Sequence, residues 1–237
     1  MKLGIITDIH NNFIALEKVL DSLYKEKCDK IICCGDIIGI GPYPEETVQL
    51  MMKTENLIAV RGNHERYLLE GIDSNLEEMD EDEKNHHLWE HSMLTESSKA
   101  FLESLPYRID MVIEGKRISV MHYPMDSKNI CVNSKLFPNE NDLKKIFKDV
   151  NSDIILYGHN HFKNICKSQK LYINAGSLGC PSKDKNIARF GILEITEKNV
   201  SFLPKKITYN SQIVIDKINE YNYPDGEKIK KIFYGID

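Results

Sequence analysis

The chain reads as an α/β protein whose buried parallel strands carry polar residues at their tips. Three observations predict this. The opening residues alternate short apolar runs with amphipathic stretches in the order β-α-β-α-β, which requires parallel strands joined by right-handed crossovers. The runs, such as Leu3–Ile6, are apolar throughout and short, as strands covered on both faces are. Five such runs end abruptly in Asp, Asn or His.

Leu3–Ile6 is the first strand and breaks into Asp8-Ile9-His10. Asn12 fits the N-cap of a helix with Phe13, Leu16, Val19, Leu20 and Leu23 on one face. Lys30–Cys34 is the second strand, ending in Gly35-Asp36. Gly39, Gly41, Pro42 and Pro44 make a loop, and Pro44 opens a helix that runs to Lys53. Leu57–Arg61 is the third strand, followed by Gly62-Asn63-His64. Residues 65–104 are expected to form a helical cover over the strand tips, with a solvated acidic run from Glu77 to Glu83. Tyr107–Ile113 and Arg117–Met121 read as a hairpin turning at Glu114-Gly115, its second strand ending in His122. A helix over Glu140–Val150 leads to the strand Asp153–Tyr157, which ends in Gly158-His159-Asn160-His161. Leu171–Asn174, Ile187–Ile195 and Val200–Lys206 are expected as antiparallel strands, the last two turning at Glu197-Lys198-Asn199. The tail from Ile213 to Phe233 divides into two short helices at Pro224-Asp225-Gly226. No repeat, low-complexity segment or linker breaks residues 1–237, so one domain is expected, with the cover at 65–104 and a C-terminal extension at 209–237.

The 237 residues are 41% hydrophobic, enough for one sizeable core. A net charge of -5 argues against a nucleic-acid duplex as partner, which would want a basic excess. An anionic substrate must be attracted locally, for instance by bound cations. None of the six cysteines stands in a C-x-x-C pair, and Cys33 and Cys34 face opposite ways along a strand. Reduced core thiols and a cytoplasmic location are expected. The first apolar stretch is too short for a signal peptide, and no segment reaches the length of a membrane span, so a membrane is not an expected partner. The oligomeric state stays open.

The strand-end residues are Asp8 with His10, Asp36, Asn63, His122, and His159 with His161. Polar groups at the carboxyl ends of strands in such a sheet gather at one rim. On an extended backbone residues i and i+2 leave the same side, so each Asp or His pair is expected to converge. Seven oxygen and nitrogen donors are too many for one ion and suit two divalent ions. Asp36 lies centrally and is the expected shared carboxylate. The mixed donor set without thiolate favours Mn²⁺, with Fe, Zn²⁺ or Ni²⁺ as alternatives, over Ca²⁺. Two such ions about 3.5–4 Å apart lower the pKa of a bridging water and hold substrate oxygens in line, which suits phosphate ester hydrolysis. His64, pointing away from its neighbour's ligand direction if the segment is extended, is the candidate general acid. Arg61 is a candidate to orient phosphate, or else it pairs with a nearby acid. The amides of Gly39 and Gly41 are candidate phosphate contacts, although a turn alone explains both glycines. His87 and His91 stand i, i+4 on the expected cover, a spacing that can bind Zn²⁺ but that a polar helix face explains better, and His91 is a candidate for the pocket lining. Any one Asp or His is more often a cap or surface group than a ligand, so the joint pattern carries the reading.

Asp8-Ile9-His10, Gly35-Asp36, Gly62-Asn63-His64-Glu65, His122 and Gly158-His159-Asn160-His161 together resemble the calcineurin-like metallophosphoesterases, from about Met1 to Lys206. The resemblance implies a four-layer α/β/β/α sandwich of two mixed β-sheets flanked by helices. It implies Asp8, His10, Asp36 and His161 on one metal, and Asp36, Asn63, His122 and His159 on the other. It also implies a metal-bridging hydroxide that attacks phosphorus, with His64 as the catalytic histidine. The run from Gly35 to Pro42, Trp89, Leu105-Pro106 and Asn174-Ala175-Gly176-Ser177 look like the small bacterial and archaeal phosphodiesterase branch. Val60 to Glu65 also resembles the protein serine/threonine phosphatases. Those enzymes carry Asp-Arg-Gly after the bridging Asp; here Gly39-Ile40-Gly41 stands there and the phosphate-clamping arginine is missing. Asn11 replaces a usual Gly, and Asn tolerates the left-handed backbone that Gly would supply; Ala175 replaces a frequent Pro. The expected function is a metal-dependent phosphodiesterase acting on small nucleotide-type phosphorylated substrates, a diadenosine tetraphosphate hydrolase being one concrete case. The alternatives are a phosphomonoesterase or protein phosphatase, and a non-catalytic metal-bound scaffold, which the intact donor set with His64 argues against.

Overall fold

The computed structural model describes residues 1–71, 81–181, 184–221 and 223–236. In chain order the first elements are β1 (Lys2–Ile6), α1 (Phe13–Lys25), β2 (Lys30–Cys33), α2 (Pro44–Lys53) and β3 (Leu57–Ala59). Next come α3 (Asn63–Glu70), α4 (Glu81–Met93), α5 (Glu96–Ser104), β4 (Arg108–Ile113), β5 (Lys116–Met121), α6 (Glu140–Ile146) and β6 (Ile154–Leu156). The last are β7 (Asn164–Lys167), β8 (Leu171–Asn174), β9 (Ile187–Ile195), β10 (Val200–Thr208), α7 (Ser211–Glu220), α8 (Gly226–Ile229) and a π-helical turn, Lys230–Tyr234.

Two mixed five-stranded sheets result, ordered β10-β9-β1-β2-β3 and β4-β5-β6-β8-β7. β1, β2 and β3 are parallel, as are β5, β6 and β8. The outer pairings are antiparallel. Strand alternation builds the layers. Leu3 and Ile5 of β1 meet Ile118, Val120, Ile154 and Leu156 of the other sheet in the central core. Ile6 on the opposite face joins Leu16, Val19 and Leu23 of α1. Gly4 lets that helix approach, since a Cβ there would lie 2.8 Å from Leu23. Behind the second sheet Ile155, Tyr157 and Tyr172 pack on Leu143 and Phe147 at α6. Helices thus flank both outer faces of the paired sheets, as expected.

Local signals act where they were read. The Asn12 side chain accepts from the Ala15 amide at 3.0 Å, capping α1. Glu114 and Gly115 both take positive φ, 49° and 74°, as a two-residue hairpin turn demands. Cys33 and Cys34 lie in different cores, one on each side of the first sheet. β8 departs from expectation: it is parallel to β6 and antiparallel only to β7, which the sequence reading missed. β7 is a short edge strand with alternate residues exposed, so its apolar signal is weak. The tail is woven into the helical layer, with Tyr209, Val214, Ile218, Tyr223 and Tyr234 buried in the same core as α1. The expected acidic run at Glu77 to Glu83 lies mostly outside the described residues. No helix among the described residues is long and apolar enough to cross a membrane.

Candidate metal centre and its surroundings

The predicted donors do gather beyond the strand tips, but not through extended backbone. β1 ends at Ile6, and Asp8 and His10 have φ of 51° and 49°. Asp36, His159 and His161 are left-handed too, at 51°, 75° and 60°. The simple i, i+2 alternation expected for the two pairs is therefore wrong. Left-handed turns aim the side chains, at roughly 1–2 kcal/mol for each non-glycine residue. Backbone bonds between loops hold these turns. The amides of Ile9 and His10 both donate to the Asp36 carbonyl, at 2.8 and 3.1 Å, and the Asn11 amide donates to Ile37. Asn11 itself has φ 55°, the conformation expected of a glycine substitute.

Asp8, His10, Asp36 and His161 place one donor atom each within 4.8 Å of all the others. The His10 and His161 Nε2 atoms are 3.0 Å apart, and His10 Nε2 is 3.8 Å from Asp36 Oδ2. His161 Nε2 is 3.6 Å from Asp8 Oδ1. On the other side, His122 Nε2 stands 3.1 Å from Asp36 Oδ2, and His159 Nδ1 lies 3.0 Å from Asn63 Oδ1. The His122 and His159 rings are 5.3 Å apart. His10 Nδ1 faces the Ile38 carbonyl at 3.2 Å and His122 Nδ1 faces the Cys34 carbonyl at 2.8 Å. Each Nδ1–H can donate there, leaving Nε2 bare and turned inward, as metal-binding histidines are held. Asp36 lies between the two groups, its Oδ2 3.8 Å from His10 Nε2 and 3.1 Å from His122 Nε2.

Ionised Asp36 and neutral His10 and His159 suit cations, while an ion would have to displace the proton that His122 holds. Burial pushes Asp8 up, His159 down to about 3 and His10 well below its usual value. Burial also works to lower His122, but Asp36 and Asp8 outweigh it and raise it to about 9. Asp36 is pulled well below the carboxylate range against its burial, chiefly by His122. Glycines make the room. A Cβ on Gly62 would lie 2.0 Å from Asp36 Oδ1, and one on Gly158 would lie 2.9 Å from Asp8 Oδ2. Converging bare imidazole nitrogens and carboxylates in a glycine-lined cradle fit divalent ions.

Asn63 and His64 open α3 rather than ending an extended strand, so the expected extended geometry of His64 is corrected. Its ring still reaches the rim, 4.9 Å from the His10 ring. Burial lowers it to about 4. The role of Glu65 went unread. Its buried carboxylate accepts from the amides of Asp36, Ile37, Ile38 and Gly62, at 3.1, 2.8, 3.0 and 2.6 Å. It thereby fixes both the Asp36 loop and the start of α3. The signal was present: Gly62 and Glu65 have the spacing of an N-cap and the acidic third residue of a capping box.

The four weaker candidates have other partners or lie away from the rim, Arg61 in the acid pairing that was its alternative reading. Arg61 does not face the rim: its Nε donates to the Leu105 carbonyl, another guanidinium nitrogen donates to the Glu103 carbonyl, and Nη1 pairs with Glu70 at 3.6 Å. The Gly39 amide donates to Glu90 at 2.6 Å and the Gly41 amide to the His10 carbonyl at 3.1 Å, so both are already engaged. Gly39 is instead needed for space, because a Cβ there would lie 2.3 Å from His64 Nδ1. His91 is exposed on the outer face of α4, whereas His86, His87 and Glu90 are buried on its inner face. Glu90 accepts from Asn11 Nδ2 as well as Gly39, and His86 Nε2 accepts from the Ile40 amide at 3.0 Å. Cys180, also unread, brings its sulfur within 4.8 Å of the His10 and His161 donor atoms. Burial keeps that thiol protonated.

Residues 1–198 match the profile of the calcineurin-like phosphoesterase superfamily domain. The chain is 30% identical to the uncharacterized protein MJ0912 of Methanocaldococcus jannaschii, over 96% of each chain. Among solved structures it is similar to the hypothetical protein PH1004 of Pyrococcus horikoshii OT3, at TM-score 0.82 and 20% identity, over 100% of this chain and 99% of that one. It is also similar to a metallophosphoesterase from Sphaerobacter thermophilus, at TM-score 0.75 and 24% identity, over 99% and 98%.

Proposed function

Because the chain belongs to the calcineurin-like phosphoesterase superfamily, whose members indicate a phosphoester hydrolase, we propose that it is a dinuclear phosphodiesterase acting on small nucleotide-type substrates. Asp8, His10, Asp36 and His161 would hold one divalent ion, and Asp36, Asn63, His122 and His159 the other. Such ions supply Lewis acidity toward water and phosphate oxygens. His64 is the proton donor of this reading; burial holds it at about 4 without substrate, so donation requires the negative charge of a bound phosphate ester to raise it. Its Nδ1 is buried against Gly39, so Nε2 is the edge that meets a leaving oxygen.

The observation that carries the diester over the monoester is the engagement of Arg61. Bound to two carbonyls and Glu70, it leaves no fork to clamp a doubly charged terminal phosphate. A diester presents one charge fewer and needs no such clamp. Mn²⁺ is the proposed ion on the mixed nitrogen and oxygen donors, and diadenosine tetraphosphate is one proposed substrate. The free cysteines among the described residues support a reducing, cytoplasmic setting.

The test compares bis-p-nitrophenyl phosphate with p-nitrophenyl phosphate, using protein stripped by chelator and reloaded with Mn²⁺. Faster turnover of the diester, lost in Asp36→Asn and His64→Ala, is the expected result. Turnover of the monoester alone replaces this reading with a phosphomonoesterase. No turnover of either, with both ions bound, returns the scaffold alternative.

A further inference from the structure

The inner face of α4 meets the ring of His64. His87 is 4% exposed, and its ring centroid lies 5.3 Å from that of His64, tilted by 45°. His86 stacks behind it at 5.1 Å and 16°, and Tyr67 closes a third side at 5.3 Å. Among the described residues His87 Nδ1 meets only Glu90 Oε2, at 3.6 Å, and neither His87 Nε2 nor His64 Nδ1 has a hydrogen-bond partner. His87 is held by ring packing and by that one long contact to Glu90, and His64 has no hydrogen bond from its own Nδ1 to fix its tilt. Four groups confine the His64 ring: Gly39, His10, Tyr67 and His87.

α4 is in turn pinned to the loop beneath His64. Glu90 takes the Gly39 amide and Asn11 Nδ2, and its Oε2 stands 3.6 Å from His87 Nδ1. From the C-terminal tail, Tyr223 Oη contacts His86 Nε2 at 2.7 Å and donates to the Gly41 carbonyl at 3.0 Å. The helix therefore cannot shift without disturbing the loop that also packs on His64.

We propose that His87 is a positioning residue: its ring, fixed by α4, holds the His64 imidazole at the tilt needed to donate to the leaving oxygen. The proposal rests on the proton-donor reading of His64. It predicts a defect that depends on the leaving group, because an activated phenolate departs with little protonation and a plain phenolate does not.

The experiment measures the Mn²⁺-loaded protein on bis-p-nitrophenyl phosphate and on diphenyl phosphate, which share a diaryl phosphodiester core and differ in the para-nitro groups that stabilise the leaving phenolate. The ratio of the two rates on one sample is independent of how much of that sample is folded. His87→Ala is expected to lower the diphenyl phosphate rate about tenfold and the nitrophenyl rate no more than about twofold, the selectivity that loss of proton donation produces. His87→Phe, which keeps a flat ring, is expected to restore most of the ratio. An unchanged ratio in His87→Ala, or a selective loss that His87→Phe does not repair, overturns the proposal. His64→Ala separates the two claims. If it loses both rates equally, the proton-donor reading fails and takes this proposal with it. If it is selective while His87→Ala is not, only the positioning role fails.

Discussion

Glu65→Gln is the most informative single substitution, because it preserves shape and changes only what four backbone amides see. One carboxylate oxygen accepts from Ile37 and Ile38, the other from Asp36 and Gly62. A glutamine can present one oxygen only. Whichever way its amide turns, an NH₂ group faces two buried N–H donors. Each buried donor left without an acceptor costs about 1–3 kcal/mol, so the substitution should cost about 2–6 kcal/mol in all. That is a large share of the roughly 5–15 kcal/mol that stabilises an ordinary domain. Urea unfolding followed by circular dichroism measures it directly. The same amides set the loop that carries Asp36, so affinity for Mn²⁺ should fall about 10–100-fold, as for other residues that orient ligands. A Glu65→Gln protein that unfolds within about 0.5 kcal/mol of the wild type, the range of an ordinary surface change, refutes the reasoning.

Loading the stripped protein with Mn²⁺ at 100 times its Kd should raise stability by about 2.7 kcal/mol per site, seen as a higher Tm, and Asp36→Asn should remove most of that gain. Asp36 and Asp8 raise His122 from an ordinary histidine value near 6.5 to about 9 in the folded protein, so in metal-free protein its stabilising contribution is complete below about 6.5 and lost as pH rises through about 9. Denaturation at pH 6 to 10 should show that loss, and Mn²⁺-loaded protein, in which the ion takes the proton's place, should lack it. A thiol reagent should label Cys28, Cys131 and Cys166 in native protein and reach the buried Cys33, Cys34 and Cys180 only after denaturant, as mass spectrometry would show. Asn11→Ala should cost about 2–5 kcal/mol by combining left-handed strain with the lost Glu90 bond, whereas Asn11→Gly loses only the bond and regains part of it as relieved strain; equal unfolding free energies for the two variants would show that backbone conformation is not what selects Asn.

Much of this was legible because burial writes itself into strands. Leu3–Ile6 and Ile154–Leu156 are apolar on both faces, and the polar residues that follow mark the rim without knowledge of the pairing. What stayed hidden has physical reasons. Positive φ at Asp8, His10 and His159 follows from loop-to-loop bonds that no local propensity encodes. β7 is an edge strand, half exposed, and carries little apolar signal. α4 defeats hydrophobic periodicity altogether. It packs on polar loops, so the face it buries consists of His86, His87 and Glu90, and counting apolar residues cannot find it. Arg61 was open between a phosphate contact and pairing with a nearby acid, and it makes the pairing, with Glu70. Its position beside Gly62-Asn63-His64 could not decide between the two, because the carbonyls at the end of α5 that hold it are distant in sequence.

The left-handed residues at the rim are best understood as one braced unit. The Asp8 loop sits on the carbonyls of Gly35, Asp36 and Ile37, so the first turn is held by the second. The second is held by Glu65 from α3, and Glu90 joins Asn11 of the first loop to Gly39 of the second. The Asp8 carbonyl in turn takes the Ser177 hydroxyl and the Gly179 amide from the chain after β8. No donor is fixed by its own segment alone. Strain of this kind survives only where the surroundings over-determine it. Five chain segments meeting at one rim provide that, and the left-handed turns are what bring carboxylates and imidazoles close enough to need a cation between them.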